Sequence, residues 1–365
     1  MMERNNYRLP AEWERQDFMQ LTWPHENTDW APILDRITEV YLNMAREIAR
    51  RERLLIVTQK SADSLRAILS EHLGDAEMAR ITFFECDTND TWARDHGFIT
   101  LVSDGGKRLL DYCFNGWGMK FAAEKDNAIN TKLKETLSGD YADRLDFVLE
   151  GGSIESDGCG TIITTSQCLL APNRNQPMTK EQIEARLKAD LCADRVLWLD
   201  YGNLVGDDTD GHIDTIVRLA PNDTLLYIAS DDPDDEQFED FRCLERQLKE
   251  LRTASDEPYN LLRLPMPDAI IEDGERLPAT YANFVILNGA VLVPTYGQPG
   301  KDAEAMRIIG GAFPDREIIG IDSRAVIVQH GSLHCCTMQF PSPLEAPSDS
   351  PRGRDSSVKE PYNTL

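Results

Sequence analysis

The feature that most constrains the fold is an internal repeat. Residues 160–200 and 290–322 have the same order: an apolar strand, a turn containing Pro, a helix, and a second apolar strand introduced by Asp-Arg. The two Asp-Arg pairs, at 194–195 and 315–316, are 121 residues apart, which fits two units of about 60 residues. About five such units fit before residue 341. Because each is too small to bury its apolar face alone, the units must pack against one another.

The same alternation of short apolar strands and amphipathic helices extends from one end of the chain to the other. In the first helical stretch, apolar side chains recur every three or four residues and build one apolar face: Ile33, Ile37, Tyr41, Ala45 and Ile48. Strands that alternate with helices in this way predict an α/β fold.

The composition changes after Pro341. Residues 342–365 are rich in Pro, Ser and charged side chains, with almost no apolar residue to bury. We therefore expect one domain over residues 1–341 and a disordered or loosely attached tail over residues 342–365.

The chain is strongly acidic, with 38 Lys and Arg against 63 Asp and Glu and a net charge of −25 over 365 residues. Such a surface repels polyanions and favours cations, so we expect no nucleic-acid partner, although solubility alone also explains the charge. The N-terminus is polar, and the longest apolar stretch, residues 284–294, is shorter than the ~20 residues that span a bilayer. We expect a cytoplasmic protein with no membrane partner; the sequence leaves open whether it forms a homo-oligomer.

The cysteines do not form a recognisable framework. Eight are scattered along the chain without a CxxC pair, so neither a disulfide scaffold nor a zinc ribbon is predicted. Most are expected to be buried as small hydrophobic residues. The exception is the adjacent pair Cys335 and Cys336, which follows His334.

Four short segments combine reactive polar side chains with Gly or Trp: residues 89–96, 149–155, 207–214 and 330–337. With Asp95, Glu150, His212 and Cys335 as their centres, the separations are 55, 62 and 123 residues, close to one, one and two repeat units. Each segment then has the same place in its own unit. Units arranged in a ring would direct these groups to one shared site.

Each segment alone also has a purely structural explanation. His212 and Asp214 are two residues apart, so on a strand they face the same side and can pair on a sheet surface. Arg94 and Asp95 can form salt bridges in a core, the Gly pair after Glu150 can mark a turn, and a buried thiol is the common state of cysteine. Four such features at repeat spacing favour a shared site.

A thiol, an imidazole and several carboxylates in one place suit covalent catalysis on a cation. A thiolate paired with His is a nucleophile, whereas nearby carboxylates raise the thiol pKa unless the substrate supplies positive charge. A planar guanidinium matches carboxylates bidentately, so Asp95 and Asp214 would hold its carbon over the sulfur of Cys335. A zinc site is the alternative, but the closely spaced ligand pairs of closed zinc sites are missing.

Seven motifs, by their order and spacing, carry a resemblance to a known family: Leu9-Pro-Ala-Glu-Trp-Glu, Thr22-Trp-Pro, Asn89-Asp-Thr-Trp-Ala-Arg-Asp, Asn115-Gly-Trp-Gly, Glu150-Gly-Gly, Gly211-His-Ile-Asp and His334-Cys335. They resemble the agmatine deiminase and bacterial peptidylarginine deiminase family of the guanidino-group-modifying (pentein) superfamily, over almost the whole chain up to Pro341. The resemblance implies a five-bladed, pseudo-symmetric α/β propeller with the active site on its axis. It also implies that the chain uses no metal and no organic cofactor.

The resemblance further implies roles for individual residues. Cys335, and not Cys336, corresponds to the nucleophile, and His212 to the general acid and base. The other implied roles are guanidinium binding by Asp95 and Asp214, orientation of His212 by Glu150, packing of Trp92 beside the substrate, and binding of a distant ammonium at Asp208.

The implied reaction is hydrolytic deimination of a small cationic guanidino compound. Cys335 attacks the guanidinium carbon, ammonia leaves, and water releases a ureido product from a covalent thiouronium. With agmatine the product is N-carbamoylputrescine, a step towards putrescine. The loop Asp207-Asp-Thr-Asp-Gly departs from the family's usual Asp-Glu-Thr-Asn-Gly, so peptidylarginine and free arginine stay open as substrates. Amidino transfer and non-catalytic guanidinium binding are further alternatives.

Overall fold

A computed structural model describes residues 7–344. Its strands in chain order are β1 (Gln16–Thr22), β2 (Arg53–Thr58), β3 (Ile81–Glu85), β4 (Ile99–Ser103), β5 (Gly106–Cys113), β6 (Asp140–Val148), β7 (Ile154–Ser156), β8 (Thr161–Thr165), β9 (Arg195–Leu199), β10 (Val217–Ala220), β11 (Thr224–Ala229), β12 (Asn260–Pro265), β13 (Ile271–Glu272), β14 (Glu275–Arg276), β15 (Val285–Leu287), β16 (Ala290–Thr295), β17 (Glu317–Asp322) and β18 (Thr337–Pro341).

All but the fourth of the helices lie in connections between parallel strands, and the fourth lies between two sheets. They are α1 (Leu34–Arg51), α2 (Ala62–His72), α3 (Asp75–Met78), α4 (Ala93–His96), α5 (Gly116–Met119), α6 (Ile129–Leu133), α7 (Ser166–Leu169), α8 (Lys180–Asp190), α9 (Phe238–Glu250) and α10 (Pro299–Ala312). Short 3₁₀ turns cover Ala31–Ile33, Lys134–Thr136, Gly151–Ser153, Ile213–Thr215 and Ile327–Gln329.

One connectivity recurs in the sheets. In four of them an antiparallel pair of strands is followed, after a helix, by a third strand parallel to the second: β4-β5-β6, β7-β8-β9, β10-β11-β12 and β15-β16-β17. Their first strands begin at residues 99, 154, 217 and 285, and β18 begins at 337, so the spacings are 55, 63, 68 and 52 residues. The predicted α/β class and the repeat of roughly 60 residues are both confirmed.

The fifth sheet of this kind is assembled from both ends of the described chain. Strand β18 pairs antiparallel with β1, which in turn pairs parallel with β2, and β3 completes the sheet. The rings of Phe18 and Phe340 stack across the β1–β18 pair with their centroids 4.2 Å apart, and Phe340 also meets Phe98 edge to face. The first and last strands of the domain therefore hold each other in place.

Local structure differs from the sequence prediction where a side chain forms a hydrogen bond to the backbone. The sequence predicts a strand over residues 213–219, but Ile213–Thr215 is a 3₁₀ turn and the strand covers only Val217–Ala220. The hydroxyl of Thr215 donates to the carbonyl of His212 at 2.8 Å and closes that turn. The sequence does not predict β7 or β18 as strands, because both segments are short and partly polar.

The described chain continues briefly beyond Pro341. The backbone N–H of Ser342 donates to the carbonyl of Arg15, and that of Leu344 to the carbonyl of Ser103. The rest of the predicted tail, residues 345–365, lies outside the described residues. Between residues 7 and 344, no helix is both long and apolar enough to cross a bilayer.

Phe340 is 1 % exposed and packs across the β1–β18 pair. We therefore expect its removal to lower the stability of the fold substantially. Phe340→Ala removes the stacked and edge contacts and leaves a cavity, so the free energy of unfolding falls by about 3–5 kcal/mol. The measurement is urea denaturation followed by tryptophan fluorescence. Ile271→Ala, at a side chain that is 58 % exposed, is the control and leaves the midpoint nearly unchanged. Equal midpoints for the two variants would contradict the closure.

Candidate active site

The four predicted segments have equivalent places in their units, just before the first strand of a sheet. Asp95 lies in α4 before β4, Glu150 between β6 and β7, His212 before β10, and Cys335 two residues before β18. The remaining unit contributes Asn283, two residues before β15. The structure therefore brings the predicted residues together, with one further residue, Asn283, from the fourth unit.

The thiol of Cys335 lies among oxygen acceptors. Its Sγ is 3.4 Å from Oδ1 of Asn283 and 3.8 Å from Oδ2 of Asp214, and the backbone N–H of Cys335 also donates to Oδ1 of Asn283. Burial and the charges of Asp214 and Asp95 raise the pKa of this thiol well above its ordinary value. These surroundings favour the protonated thiol, and a positive charge nearby would favour the thiolate.

The imidazole of His212 is held between two carboxylates. Its Nδ1 is 3.7 Å from Oδ1 of Asp95 and its Nε2 is 3.9 Å from Oε2 of Glu150. Neither ring nitrogen has a hydrogen-bond partner among the described residues. Burial alone would lower the pKa of His212, but Asp95, Cys168 and Glu150 raise it well above its ordinary value. The ring can thus act as a proton donor at neutral pH.

A glycine keeps the space between these groups open. A Cβ on Gly152 would lie 2.6 Å from Nδ1 of His212 and 2.9 Å from Oδ1 of Asp95. The backbone N–H of Gly152 also donates to Oδ1 of Asp95 at 3.1 Å. Any larger residue at position 152 would collide with the side chains of His212 and Asp95. Their close approach to the backbone therefore requires glycine here.

Glu150 is neutralised by a buried arginine that the sequence does not single out. Nε of Arg174 donates to both carboxylate oxygens of Glu150 at 3.0 and 3.2 Å, and its NH1 donates to Asp210 at 2.7 Å. Burial would raise the pKa of Glu150, but His212 and Arg174 outweigh it and hold that pKa below its ordinary value. Glu150 is therefore fixed as a carboxylate facing His212.

Asp214 is held from behind by His334. Oδ2 of Asp214 is 2.7 Å from Nδ1 of His334, whose Nε2 is 2.9 Å from Oε1 of Glu12. Glu12 in turn accepts from Arg218 at 2.6 Å and from Arg94 at 3.0 Å. Burial would raise the pKa of Asp214, but the His334 bond and charge lower it. Its Oδ1 has no hydrogen-bond partner among the described residues and is available to a ligand.

Asp95 has weaker partners. A left-handed turn over residues 116–119, with φ of 68°, 54°, 85° and 67°, carries Trp117 to the site. The Nε1–H of Trp117 donates to Oδ2 of Asp95 at 3.0 Å. Burial, opposed by His212 but reinforced by Asp214 and Glu150, raises the pKa of Asp95 to about 6. A left-handed conformation is strained for a tryptophan, and such strain is common where a side chain is positioned for function.

A pocket of about 320 Å³ leads from the surface to Cys335 and Asp95. Trp92 and Trp117 form its wall with rings 6.5 Å apart. Three further carboxylate residues line it: Asp29, Asp90 and Asp208. None of the described residues that line it is Lys or Arg. The pocket is therefore apolar along its wall and acidic in character.

The sequence analysis misses several residues and misjudges one local geometry. His212 and Asp214 do not share a strand, because Asp214 lies in the Ile213–Thr215 turn that follows His212. The repeat itself could have revealed Asn283, since the fourth unit must also contribute a residue before its first strand. Glu12 and Trp117 lie within two of the quoted motifs, but those motifs assign them no role in the site. Arg174 lies outside every quoted motif and has no sequence signal.

Comparison with known proteins places this geometry among guanidino-modifying enzymes. A family model described as Porphyromonas-type peptidyl-arginine deiminase matches residues 8–341. A candidate arginine deiminase from Porphyromonas gingivalis is 47 % identical with a TM-score of 0.86, covering 92 % of this chain and 98 % of its own. The agmatine deiminase of C. jejuni, in a cysteine-to-serine variant with substrate bound, is 36 % identical with a TM-score of 0.84, covering 93 % and 97 %.

A curated relative and a distant structure complete the comparison. A candidate agmatine deiminase from Selenomonas ruminantium is 32 % identical over 366 residues, covering 93 % of this chain and 96 % of its own. An amidinotransferase from Microseira wollei, at 11 % identity and a TM-score of 0.51, shares the fold alone. The predicted enzyme class, a hydrolase of carbon–nitrogen bonds in linear amidines, is confirmed. The chain belongs to the Porphyromonas-type peptidyl-arginine deiminase family.

Proposed function

We propose that this enzyme converts agmatine and water into N-carbamoylputrescine and ammonia, through a covalent thiouronium on Cys335. The observation that carries the proposal is the group of buried carboxylates around one thiol. Asp95 lines the same pocket as Cys335, and Oδ2 of Asp214 is 3.8 Å from Sγ of Cys335. A planar guanidinium fits such a pair through its fork of N–H donors.

The substrate's own charge would activate the nucleophile. In the free site, burial and two carboxylates keep the pKa of the Cys335 thiol well above its ordinary value. A guanidinium bound to Asp95 and Asp214 offsets those negative charges, which favours the thiolate. Cys335 would then react only with a cation already in place.

Cys335 and His212 account for the bond changes and the proton transfers of the proposed reaction. The Cys335 thiolate forms a bond to the guanidinium carbon, and His212 gives a proton to the departing nitrogen, which leaves as ammonia. Water then attacks the thiouronium carbon while His212 accepts one of its protons. The carbon–sulfur bond breaks, the thiolate returns, and the ureido product leaves. Glu150, held by Arg174, orients His212 and stabilises its protonated form.

The acidic pocket supports agmatine over arginine. The carboxylate residues Asp29, Asp90 and Asp208 line it. An ammonium at the far end of agmatine would meet negative charge, whereas the carboxylate of free arginine would be repelled. Lys120, the nearby cation, is already bonded to the backbone of Asp208 and to Asp210. Free arginine and peptidylarginine are the competing substrates.

The proposal includes two further elements from the sequence. The five recurring sheets are proposed to be the blades of a pseudo-symmetric propeller around this site, because each of them contributes one residue from the same place in its unit. The protein is proposed to act in the cytoplasm on a small soluble cation, without a metal or an organic cofactor in the reaction.

Ammonia release from agmatine, free arginine and an arginine peptide tests the substrate. We expect turnover of agmatine without an added amine acceptor, which distinguishes hydrolysis from amidino transfer. Asp208→Asn lowers kcat/KM for agmatine by about 10- to 100-fold, the worth of one charged contact, and narrows its preference over arginine. Asp231→Asn, which removes a charge from an exposed residue paired with Arg263, is the control. A wild-type preference for arginine or the peptide would overturn agmatine as the substrate.

The pH dependence of kcat/KM tests the role of Asp95. Its pKa is raised to about 6 by burial, so below about pH 6 it gains a proton and loses the charge that binds guanidinium. We expect kcat/KM for agmatine to fall as the pH drops through that value.

The variant Trp117→Phe removes the N–H that stabilises the charged form of Asp95, so the acid limb moves to higher pH. Trp198→Phe removes a comparable indole bond to Glu184 on α8 and leaves the limb in place. An acid limb that Trp117→Phe does not move would remove Asp95 as its origin.

A further inference from the structure

A second thiol, that of Cys168, lies beside the imidazole of His212. Glu150, Cys168 and His212 each offer one ligand atom, and the three atoms lie within 4.8 Å of one another. All three side chains are buried. Within residues 7–344 this is the one set of three His, Cys, Asp or Glu side chains close enough to hold a metal ion.

Backbone contacts fix Cys168 beside His212. Cys168 lies in α7, and its N–H donates to the hydroxyl of Thr165 at 3.3 Å. The same hydroxyl donates to the carbonyl of Gly211 at 2.6 Å, and Gly211 precedes His212 directly. The turn that carries Cys168 and the segment that carries His212 are therefore tied together. The proposed deimination makes no use of the Cys168 sulfur.

The donor set suits zinc. Imidazole nitrogen, thiolate sulfur and carboxylate oxygen are the three ligand types of Zn²⁺ sites. Both ring nitrogens of His212 lack a hydrogen-bond partner among the described residues, so binding would break no existing bond to the ring. The thiolate would bring a negative charge to the ion, and the carboxylate of Glu150 would be shared between the ion and Arg174, whose Nε donates to both of its oxygens. Arg174 also keeps its bond to Asp210.

Cys335, the proposed nucleophile, has no comparable set of metal ligands around it among the described residues. Sγ of Cys335 has Asn283 and Asp214 as neighbours, and the imidazole beyond Asp214 is His334. Both nitrogens of His334 are already engaged, one by Asp214 and the other by Glu12. A metal ion that enters the site is therefore expected at Cys168 rather than at Cys335.

We propose that Glu150, Cys168 and His212 form an inhibitory site for one divalent zinc ion. Cys168 gives up its proton to solvent as the sulfur–zinc bond forms, and His212 becomes a ligand. The inhibition rests on the proposed role of His212 as acid and base, whereas the binding does not. The ligands come from residues 150, 168 and 212, far apart in the chain, which is why ligand spacing in the sequence gave no sign of zinc.

Cobalt binding to the full-length protein tests the site without relying on turnover. Co²⁺ alone is titrated while the near-ultraviolet thiolate-to-cobalt absorption is followed, and Zn²⁺ is then added to displace it. We expect one Co²⁺ with a thiolate band in the wild type and in Cys335→Ala. In Cys168→Ala the band is lost and the affinity falls at least about 10- to 100-fold. Thermal melting confirms that each variant is folded.

Two results would overturn the proposal. A wild type that binds no Co²⁺ removes the site, and a band that survives in Cys168→Ala but disappears in Cys335→Ala assigns the metal to the nucleophile. Ammonia release is measured on the same samples with and without Zn²⁺. Zinc that binds as expected while the release of ammonia is unchanged would overturn the inhibition and leave the binding intact. Absence of ammonia release from the metal-free wild type would instead count against the proposed deimination.

Discussion

Three carboxylates are buried around one thiol, and the rest of the site is organised by how unequally they are neutralised. Glu150 has the guanidinium of Arg174, and Asp214 has His334 with Glu12 and the two arginines behind it. Asp95 has only neutral donors, the indole of Trp117 and the N–H of Gly152, besides the neighbouring His212. Buried charges of like sign are stable only when they are paired. Asp95 is therefore the least compensated of the three carboxylates, and a guanidinium would bring further positive charge to it.

The same imbalance explains the distribution of protons. Burial, reinforced by neighbouring carboxylates, raises the pKa of Asp95 to about 6 and that of the Cys335 thiol well above its ordinary value. His212, between Asp95 and Glu150, has its pKa raised as well. A cation that enters would favour the thiolate and leave the imidazolium ready to protonate the leaving nitrogen. Some of the acidic residues behind the net charge of −25 line the pocket, in addition to the general effect of that charge on solubility.

The sequence predicts the repeat, the α/β class and the meeting of Asp95, Glu150, His212 and Cys335, because all of these follow from spacing. A unit of constant length places its reactive residue at a constant point before its first strand. The partners that set the charge of the site could not be predicted in this way. Arg174 and Glu12 reach it through tertiary packing, and Trp117 does so through a left-handed turn that no propensity favours.

Local geometry was the weaker part of the sequence prediction for a related reason. The run after Gly211 has the composition of a strand, but the Thr215 hydroxyl bonds the carbonyl of His212 and turns the chain. That turn places the imidazole against Glu150 and the carboxylate of Asp214 against His334. The strand predicted through Asp214 is therefore wrong, because a side-chain hydrogen bond determines the local backbone.

The central claim is that Cys335 forms a covalent bond to the guanidinium carbon. The most direct measurement is acid quenching during agmatine turnover, followed by intact-mass and peptide-mapping mass spectrometry of the wild type, Cys335→Ala and Cys336→Ala. The account predicts an adduct with the mass of agmatine less one ammonia on Cys335 in the wild type and in Cys336→Ala. It predicts neither adduct nor ammonia release in Cys335→Ala. An adduct on Cys336, or ammonia release that persists in Cys335→Ala, would contradict the account.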